Sequence, residues 1–324
     1  MQERNLSIDL VKTIAMIMVL ALHVGVARHF SESFKYEPVS EVYMLAGIAI
    51  PLFFMSSGFL MASKKTNLKY CAKKIWGVLK FTFIICLLVD FSCCFSDGFH
   101  WSYLRCFLQQ GRLSVFWYFG SMICIYALLP AINFVFKRKY LKKVLLVLFV
   151  IEIFVFVSNC MWNFEHRVLQ TFRLWNHTFY FVLGTFIFQN KDRLIALMNW
   201  KKALVCMILF LLSGKVLFLG GNEYHFSSPL CILYSMSVFL LCLKYVEKKN
   251  GFIETMSRCF LPVYAFHMIF FNFIFNTSIM HQLDVALKMA PIAFFVEFIL
   301  VSAIIISFSV IVVKTPLINR IFKL

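Results

Sequence analysis

Lys12 and His23 stand eleven positions apart in the first apolar run of the chain. At about 100° per residue, eleven steps along a helix return to within roughly 20° of the starting direction, about 16 Å further along the axis. One helix face would then carry an ammonium and an imidazole. Asp9, three residues before Lys12, falls on the same side and is placed to neutralise it. An imidazole titrates near neutrality, so it can take the proton of an attacking hydroxyl. It can also act as a nucleophile. Polar groups in lipid are expensive unless they are paired or face a wet cavity, which makes each one a candidate for function. The plainer reading treats Arg4, Asp9 and Lys12 as the wet inner end of a helix and His23 as its wet outer end.

A second pair lies late in the chain. Tyr264 and His267 are three residues apart and share a helix face. They fit either direct chemistry or a packing tyrosine beside a polar interhelical histidine. Ser56, Ser57 and Gly58 read as a close-packing point rather than a nucleophile, because small residues let helix backbones approach. Asp90, Glu152, Lys215 and Glu297 lie within or near apolar runs, where any two of them can pair across helices. No spacing of Cys, His or carboxylates matches a metal site, and no permanently bound cofactor is expected.

The elements that must position these groups are set by lipid. Hydrophobic residues make up 61% of the 324 positions, 40 of them Phe, and mean hydropathy is +0.83. Soluble domains hold about 45–50% apolar residues. A crossing helix needs about 20 apolar residues. Apolar windows fall near Leu6–Ala27, Tyr43–Ala62, Val78–Phe95, Val115–Phe136, Val144–Met161, Thr178–Gln189, Ala203–Leu219, Leu230–Val246, Phe260–Asn276 and Ala290–Val313. The window at Thr178 is short and is expected to extend backwards. The fold class is therefore all-α, a polytopic membrane protein of about ten transmembrane helices in a single domain over residues 1–324, with no soluble domain appended.

The formal charge of +17 would suit a nucleic-acid partner if it were gathered on one surface. Instead the basic residues cluster between apolar runs, at Lys64, Lys65, Lys69, Lys73, Lys74 and Lys80 and again at Lys137, Arg138, Lys139, Lys142 and Lys143. That is the pattern of cytoplasmic loops beside anionic lipid, and it argues against nucleic acid. With the chain starting inside, 24 of the 32 Lys and Arg fall on cytoplasmic segments. Seven fall outside, at Arg28, Lys35, Arg105, Arg112, Arg167, Arg173 and Lys288, and Lys215 lies within a span. Both termini are expected to be cytoplasmic. The first apolar run lacks a small-residue cleavage site and is kept as a helix, not a signal peptide.

Two outer loops mix aromatic and basic residues: His100, Trp101, Tyr103 and Arg105, then Arg167, Arg173 and Trp175. They read as an interfacial belt or as a rim contacting an anionic or sugar-bearing acceptor. The 11 Cys are scattered, Cys93–Cys94 being the one close pair in sequence, and read as apolar fillers.

Several segments together resemble one family. Arg4 to His23, R-N-L-S-I-D-L-V-K-T-I-A-M-I-M-V-L-A-L-H, is similar to the opening of the acyltransferase 3 family, whose first helix carries a basic residue, ten residues, then His. P-L-F-F-M-S-S-G-F-L from Pro51 resembles its aromatic and Ser-Gly-Phe second-helix pattern. F-W-Y-F-G-S-M-I-C-I-Y-A-L-L-P from Phe116 resembles its Trp-bearing helix, and M-S-R-C-F-L-P-V-Y-A-F-H from Met256 its late Ser and Tyr-x-x-His segment. V-K-T-P-L-I-N-R-I-F from Val313 resembles its closing Lys-x-Pro.

The resemblance implies a ten-helix membrane O-acyltransferase. It implies transfer of an acyl group, most commonly acetyl from acetyl-CoA, to a hydroxyl of a cell-surface polysaccharide or its lipid-linked precursor, in a bacterial plasma membrane. It implies catalytic roles for His23 and Lys12, places Asp9, Tyr264, His267 and Trp117 as supporting or cavity-lining residues, and gives Lys73 and Lys74 a role in binding the donor. Where the family carries Arg-x-x-Arg in its first inner loop, this chain has Lys74 and Gly77, so bidentate Arg contacts to CoA phosphates are missing. A secondary transporter or a non-catalytic partner in polysaccharide assembly are the rival readings, and no inverted repeat supports the first.

Overall fold

The computed structural model describes residues 5–24, 37–64, 66–92, 98, 101–130, 138–217, 226–246, 250–275, 277 and 290–322, and every regular element among them is helical. Arg4, Arg28, Lys35, Lys65, Cys93–Cys94, His100, Lys137 and Lys288 lie outside the described residues, as do the side chains of Arg138 and Lys215.

In chain order the α-helices of seven or more residues are α1 (Leu6–Val24), α2 (Glu37–Ala46), α3 (Ala49–Met61), α4 (Leu68–Ser92), α5 (Trp117–Leu128) and α6 (Arg138–Trp162). There follow α7 (Leu174–Gln189), α8 (Lys191–Leu197), α9 (Trp200–Leu217), α10 (Pro229–Tyr245), α11 (Gly251–Phe275) and α12 (Ala290–Lys314). Asparagine begins four of them. Asn5, Asn67, Asn199 and Asn250 each accept a first-turn N–H through Oδ1, from Ile8, Tyr70, Lys202 and Ile253, satisfying donors that a helix start leaves orphaned. Ser228 with Pro229 opens α10, the fixed φ of proline suiting a first helical position.

Each of the ten apolar windows is occupied by helix, and α7 does extend backwards, to Leu174. Among the described residues, six helical segments are long and apolar enough to cross a bilayer: Leu6–Val24, Glu41–Met61, Leu68–Ser92, Lys139–Trp162, Gly251–Phe275 and Ile292–Lys314. A seventh arises if α8 and α9, bent by 79° at their junction, count as one span. Ser114–Leu128 and Pro229–Tyr245 are shorter apolar helices. Ten is thus a property of the windows, while helix length and composition support six or seven.

One boundary moves substantially. The segment from Ala72 to Gly77, expected in an inner loop, lies within α4. The Asn67 cap starts the helix early, and the Lys residues that follow are good helix formers whose stems can lie along apolar surface.

The chain divides into two compact units, one of Met1–Phe53 with Asp192–Pro316 and one of Phe54–Lys191 with Leu317–Leu324. In the first, α1, α11 and α12 share a core of Met16, Leu20, Val24, Cys259, Val263, Phe271, Phe294, Val301 and Ile305. In the second, the C-terminal half of α3 meets α7 where glycines face backbone. A Cβ on Gly58 would sit 1.8 Å from the Phe181 carbonyl oxygen, and one on Gly184 would sit 2.0 Å from that of Met55. Thr185 Oγ1 completes the contact by donating to the Gly58 carbonyl at 3.1 Å. Nearby, α6 leaves Leu146, Val147, Val150 and Phe154 exposed, an apolar face of the kind that lipid accepts and water does not.

Candidate active site

The first unit brings the two histidines of the sequence motifs together. The rings of His23 on α1 and His267 on α11 lie 4.7 Å apart between centroids, inclined at 49°. Phe271 packs against both, at 6.5 Å from His23 and 5.6 Å from His267. Tyr264 stands 5.8 Å from His267 on its other flank in sequence. A further aromatic chain, Tyr264 to Phe260 and Phe260 to Phe53, extends this wall.

His267 is buried, and its orientation is set by its own helix. Nδ1 lies 3.1 Å from the Val263 carbonyl and 3.0 Å from that of Tyr264. Carbonyl oxygens only accept, so Nδ1 must carry the hydrogen and Nε2 the lone pair. Nε2 has no hydrogen-bond partner among the described residues. A fixed tautomer with an available lone pair beside a second imidazole is an arrangement that can share a proton.

The same two helices meet at a second level. Ser257 Oγ donates to Asp9 Oδ1 at 2.7 Å, and both side chains are buried. On α1 the two levels are fourteen residues apart and on α11 ten, or about 15–21 Å of helix. Asp9 is therefore held by a serine 248 residues away in sequence. Lys12 is half-buried on α1 between the two levels.

The remaining sequence candidates sit in the second unit. Trp117 opens α5, and its ring stacks on His177 at 5.5 Å. Lys73 and Lys74 lie on the first turns of α4, Lys74 within electrostatic reach of both Lys64 and Lys73. Ser57 and Tyr118 hydrogen-bond through their side chains, and Gly58 is the close-packing residue its type implied.

Asp90, left without an assigned partner in sequence, accepts from Ser102 N at 2.8 Å and Ser102 Oγ at 2.6 Å, and lies 3.8 Å from Arg112 Nη1. It pins the loop after α4. Glu152 and Glu297 are fully buried. The nine described cysteines are free, and Cys86 and Cys106 approach to 3.9 Å between Sγ atoms.

Of the aromatic and basic loop residues, Trp101, Arg105 and Arg167 are exposed, while Arg173 and Trp175 turn inward. Arg173 is only 2% exposed, its Nε donating to the Val168 carbonyl at 2.8 Å. Trp175 donates through Nε1 to Glu165 Oε1 at 3.0 Å. Glu165 also accepts from Asn159 Nδ2 at 2.6 Å and from Asn176 Nδ2. Neither Glu165 nor His177 is marked by any motif.

Comparison with known families bears on this geometry directly. The family model described as an acyltransferase domain matches residues 5–314, across both units and both histidine-bearing helices. The chain belongs to the acyltransferase 3 family. It is a multi-pass membrane protein, and its family is one of transferases acting on acyl groups. No curated protein and no solved structure matches it. The acyltransferase match gives the histidine pair its context: the face that carries Lys12 and His23 is the one against which α11 lays Ser257 and His267.

Proposed function

We propose that this acyltransferase 3 protein is an acetyl-CoA-dependent O-acetyltransferase of a bacterial plasma membrane, modifying a hydroxyl of a cell-surface or secreted polysaccharide or its lipid-linked precursor. The observation that carries the reading is the 4.7 Å approach of His23 to His267, within a chain whose family match spans both residues. His23 takes the proton of the acceptor hydroxyl as its oxygen attacks the thioester carbonyl carbon. The carbon–sulfur bond then breaks, and the departing thiolate receives that proton back from His23. His267, with its Nε2 lone pair, helps to hold the proton between these steps. Acyl transfer of this kind also needs a donor toward the developing oxyanion, a role we assign to Tyr264, whose ring lies 5.8 Å from that of His267.

Lys12 lies toward the cytoplasmic end of the same face and guides the phosphate and pantetheine end of the donor. Asp9, fixed by Ser257, orients that end of α1. Lys73 and Lys74 with Lys64 supply a like-charged cluster that an anion relieves, which fits CoA phosphates even without the family's paired arginines. The expected topology places both termini in the cytoplasm.

The test is reconstitution in proteoliposomes with labelled acetyl-CoA and the surface polysaccharide of cells that lack the gene. Wild-type protein transfers label to the glycan, and His23→Ala lowers transfer by about 10²–10⁴-fold. Full transfer by His23→Ala removes the assignment of His23. Label retained on CoA in the wild-type reaction removes the acetyltransferase reading itself. Mass spectrometry of the glycan then identifies the sugar position modified.

A further inference from the structure

His177 is fully buried in the second unit, in the first turn of α7, and takes no part in the chemistry above. Neither of its ring nitrogens has a hydrogen-bond partner among the described residues. Its faces, by contrast, are engaged. Phe54 stacks on the ring at 4.5 Å with the planes 13° apart, and Trp117 stacks at 5.5 Å with the planes 26° apart. Stacking uses the faces of an imidazole and leaves its edge, where both nitrogens are.

The ring is also held firmly. Thr171 Oγ1 donates to the Phe107 carbonyl, Ser121 Oγ donates to the Thr171 carbonyl at 3.0 Å, and Gln170 N donates to Gln109 Oε1 at 2.7 Å. These bonds stitch the segment before α7 to the segment before α5, so His177 and Trp117 arrive in register. Arg173, one turn before His177 and equally buried, adds a cation beside it.

Packing alone does not account for a histidine here. A phenylalanine would make the same two stacks without burying two polar atoms, and Phe is what the chain uses at neighbouring positions 54, 116, 119, 179 and 181. Buried polar groups without partners are disfavoured in a finished core and are found where function requires them. A neutral imidazole offers one N–H donor and one lone pair, the complement of a hydroxyl, which both accepts and donates.

We infer that His177, with Phe54 and Trp117 fixing its plane, is a subsite that reads a hydroxyl of the sugar acceptor through the ring edge. The inference rests on the acyl-transfer reading for the role of that sugar, but not for the binding itself. It names a residue that binds the acceptor, not one that touches the reacting bond.

Two measurements test it in the full-length protein in lipid nanodiscs, with the polysaccharide of gene-lacking cells as probe. Adding that glycan to protein labelled with ¹⁵N-histidine shifts the His177 ring nitrogen resonances, assigned by their loss in His177→Gln. In kinetics with acetyl-CoA, His177→Phe raises the glycan concentration for half-maximal rate by about tenfold, the scale of one lost hydrogen bond, while the value for acetyl-CoA holds. His177→Gln, which keeps a donor and an acceptor, recovers most of the difference, and if the Phe variant does not fold the resonance shift decides alone. Unshifted ring resonances, or glycan dependence in His177→Phe equal to wild type, overturn the inference. If the wild type transfers no label, the acetyltransferase reading fails separately, and the subsite stands or falls on the resonance shift.

Discussion

The contact between α3 and α7 makes a quantitative prediction about Gly58. An added methyl there lands 1.8 Å from the Phe181 carbonyl oxygen and 2.7 Å from its carbon, and real Cβ atoms come no closer than 3.0 Å. The backbones must therefore part by about 1.2 Å before Gly58→Ala is even tolerated. A Cβ has no rotamer with which to escape, so the strain falls on two helices. Overpacking of this kind costs about 1–3 kcal/mol. Stretching the Thr185 Oγ1 bond to the Gly58 carbonyl loses about 0.5–1.5 kcal/mol more, for roughly 1.5–4.5 kcal/mol together. Thermal unfolding in detergent, followed with a dye that reacts with newly exposed cysteines, reads this as a lowered midpoint. Gly184→Ala, at 2.0 Å from the Met55 carbonyl oxygen, falls by a similar amount. The double variant falls by less than the two combined, because helices already forced apart accept the second methyl cheaply. Gly251→Ala, which meets nothing within 4 Å, is the control and stays near wild type. An unchanged midpoint for Gly58→Ala, or strictly additive losses, would refute the close crossing.

Other substitutions separate structure from chemistry. His267→Phe keeps an aromatic ring but removes the Nε2 lone pair, so turnover of the folded variant drops by about 10²–10⁴-fold, beyond any loss of folded protein that the unfolding midpoint reports; turnover per folded molecule equal to wild type would make His267 a packing residue. Ser257→Ala leaves the buried Asp9 carboxylate short of one donor at 2.7 Å, lowering stability by about 1–3 kcal/mol, whereas Ser257→Thr restores much of it; equal midpoints for Ala and wild type would sink the pairing. Glu165→Gln is destabilising by roughly 2–4 kcal/mol, since Glu165 Oε1 accepts from Trp175 and Asn176 and Oε2 from Asn159, so either amide orientation turns an NH₂ toward a donor. Limited proteolysis after Asn159 and before His177 reads that loss as faster cleavage.

How far these features were readable in advance depends on whether they are local. The helix face shared by Lys12 and His23 follows from spacing alone, and the small Ser-Ser-Gly run announced a close crossing without saying against what. Only the fold supplies the answer, the backbones of Phe181 and Met55. Likewise Asp9 invites pairing with Lys12, three residues on, and it also accepts a buried bond from Ser257 across 248 residues. No local pattern carries that. Arg173 and Trp175 had the composition of an interfacial belt, yet side chain to backbone and side chain to carboxylate bonds draw both inward. Composition ranks residues by solvent preference; it does not know where a loop finds its acceptors.

His177 is a different kind of omission. The rule that singled out His23 and His267, that a polar group in lipid needs a reason, applied to it as well. The apolar window beginning at Thr178 leaves it out by one residue, while the helix begins at Leu174. Window edges are the weakest part of any hydropathy reading, and polar functional residues blunt hydropathy where they stand, so they pull the edge away from themselves. Histidines and arginines just outside a predicted span of a membrane acyltransferase therefore merit the same scrutiny as those inside it, and Arg173 and His177, both buried, are the instance here.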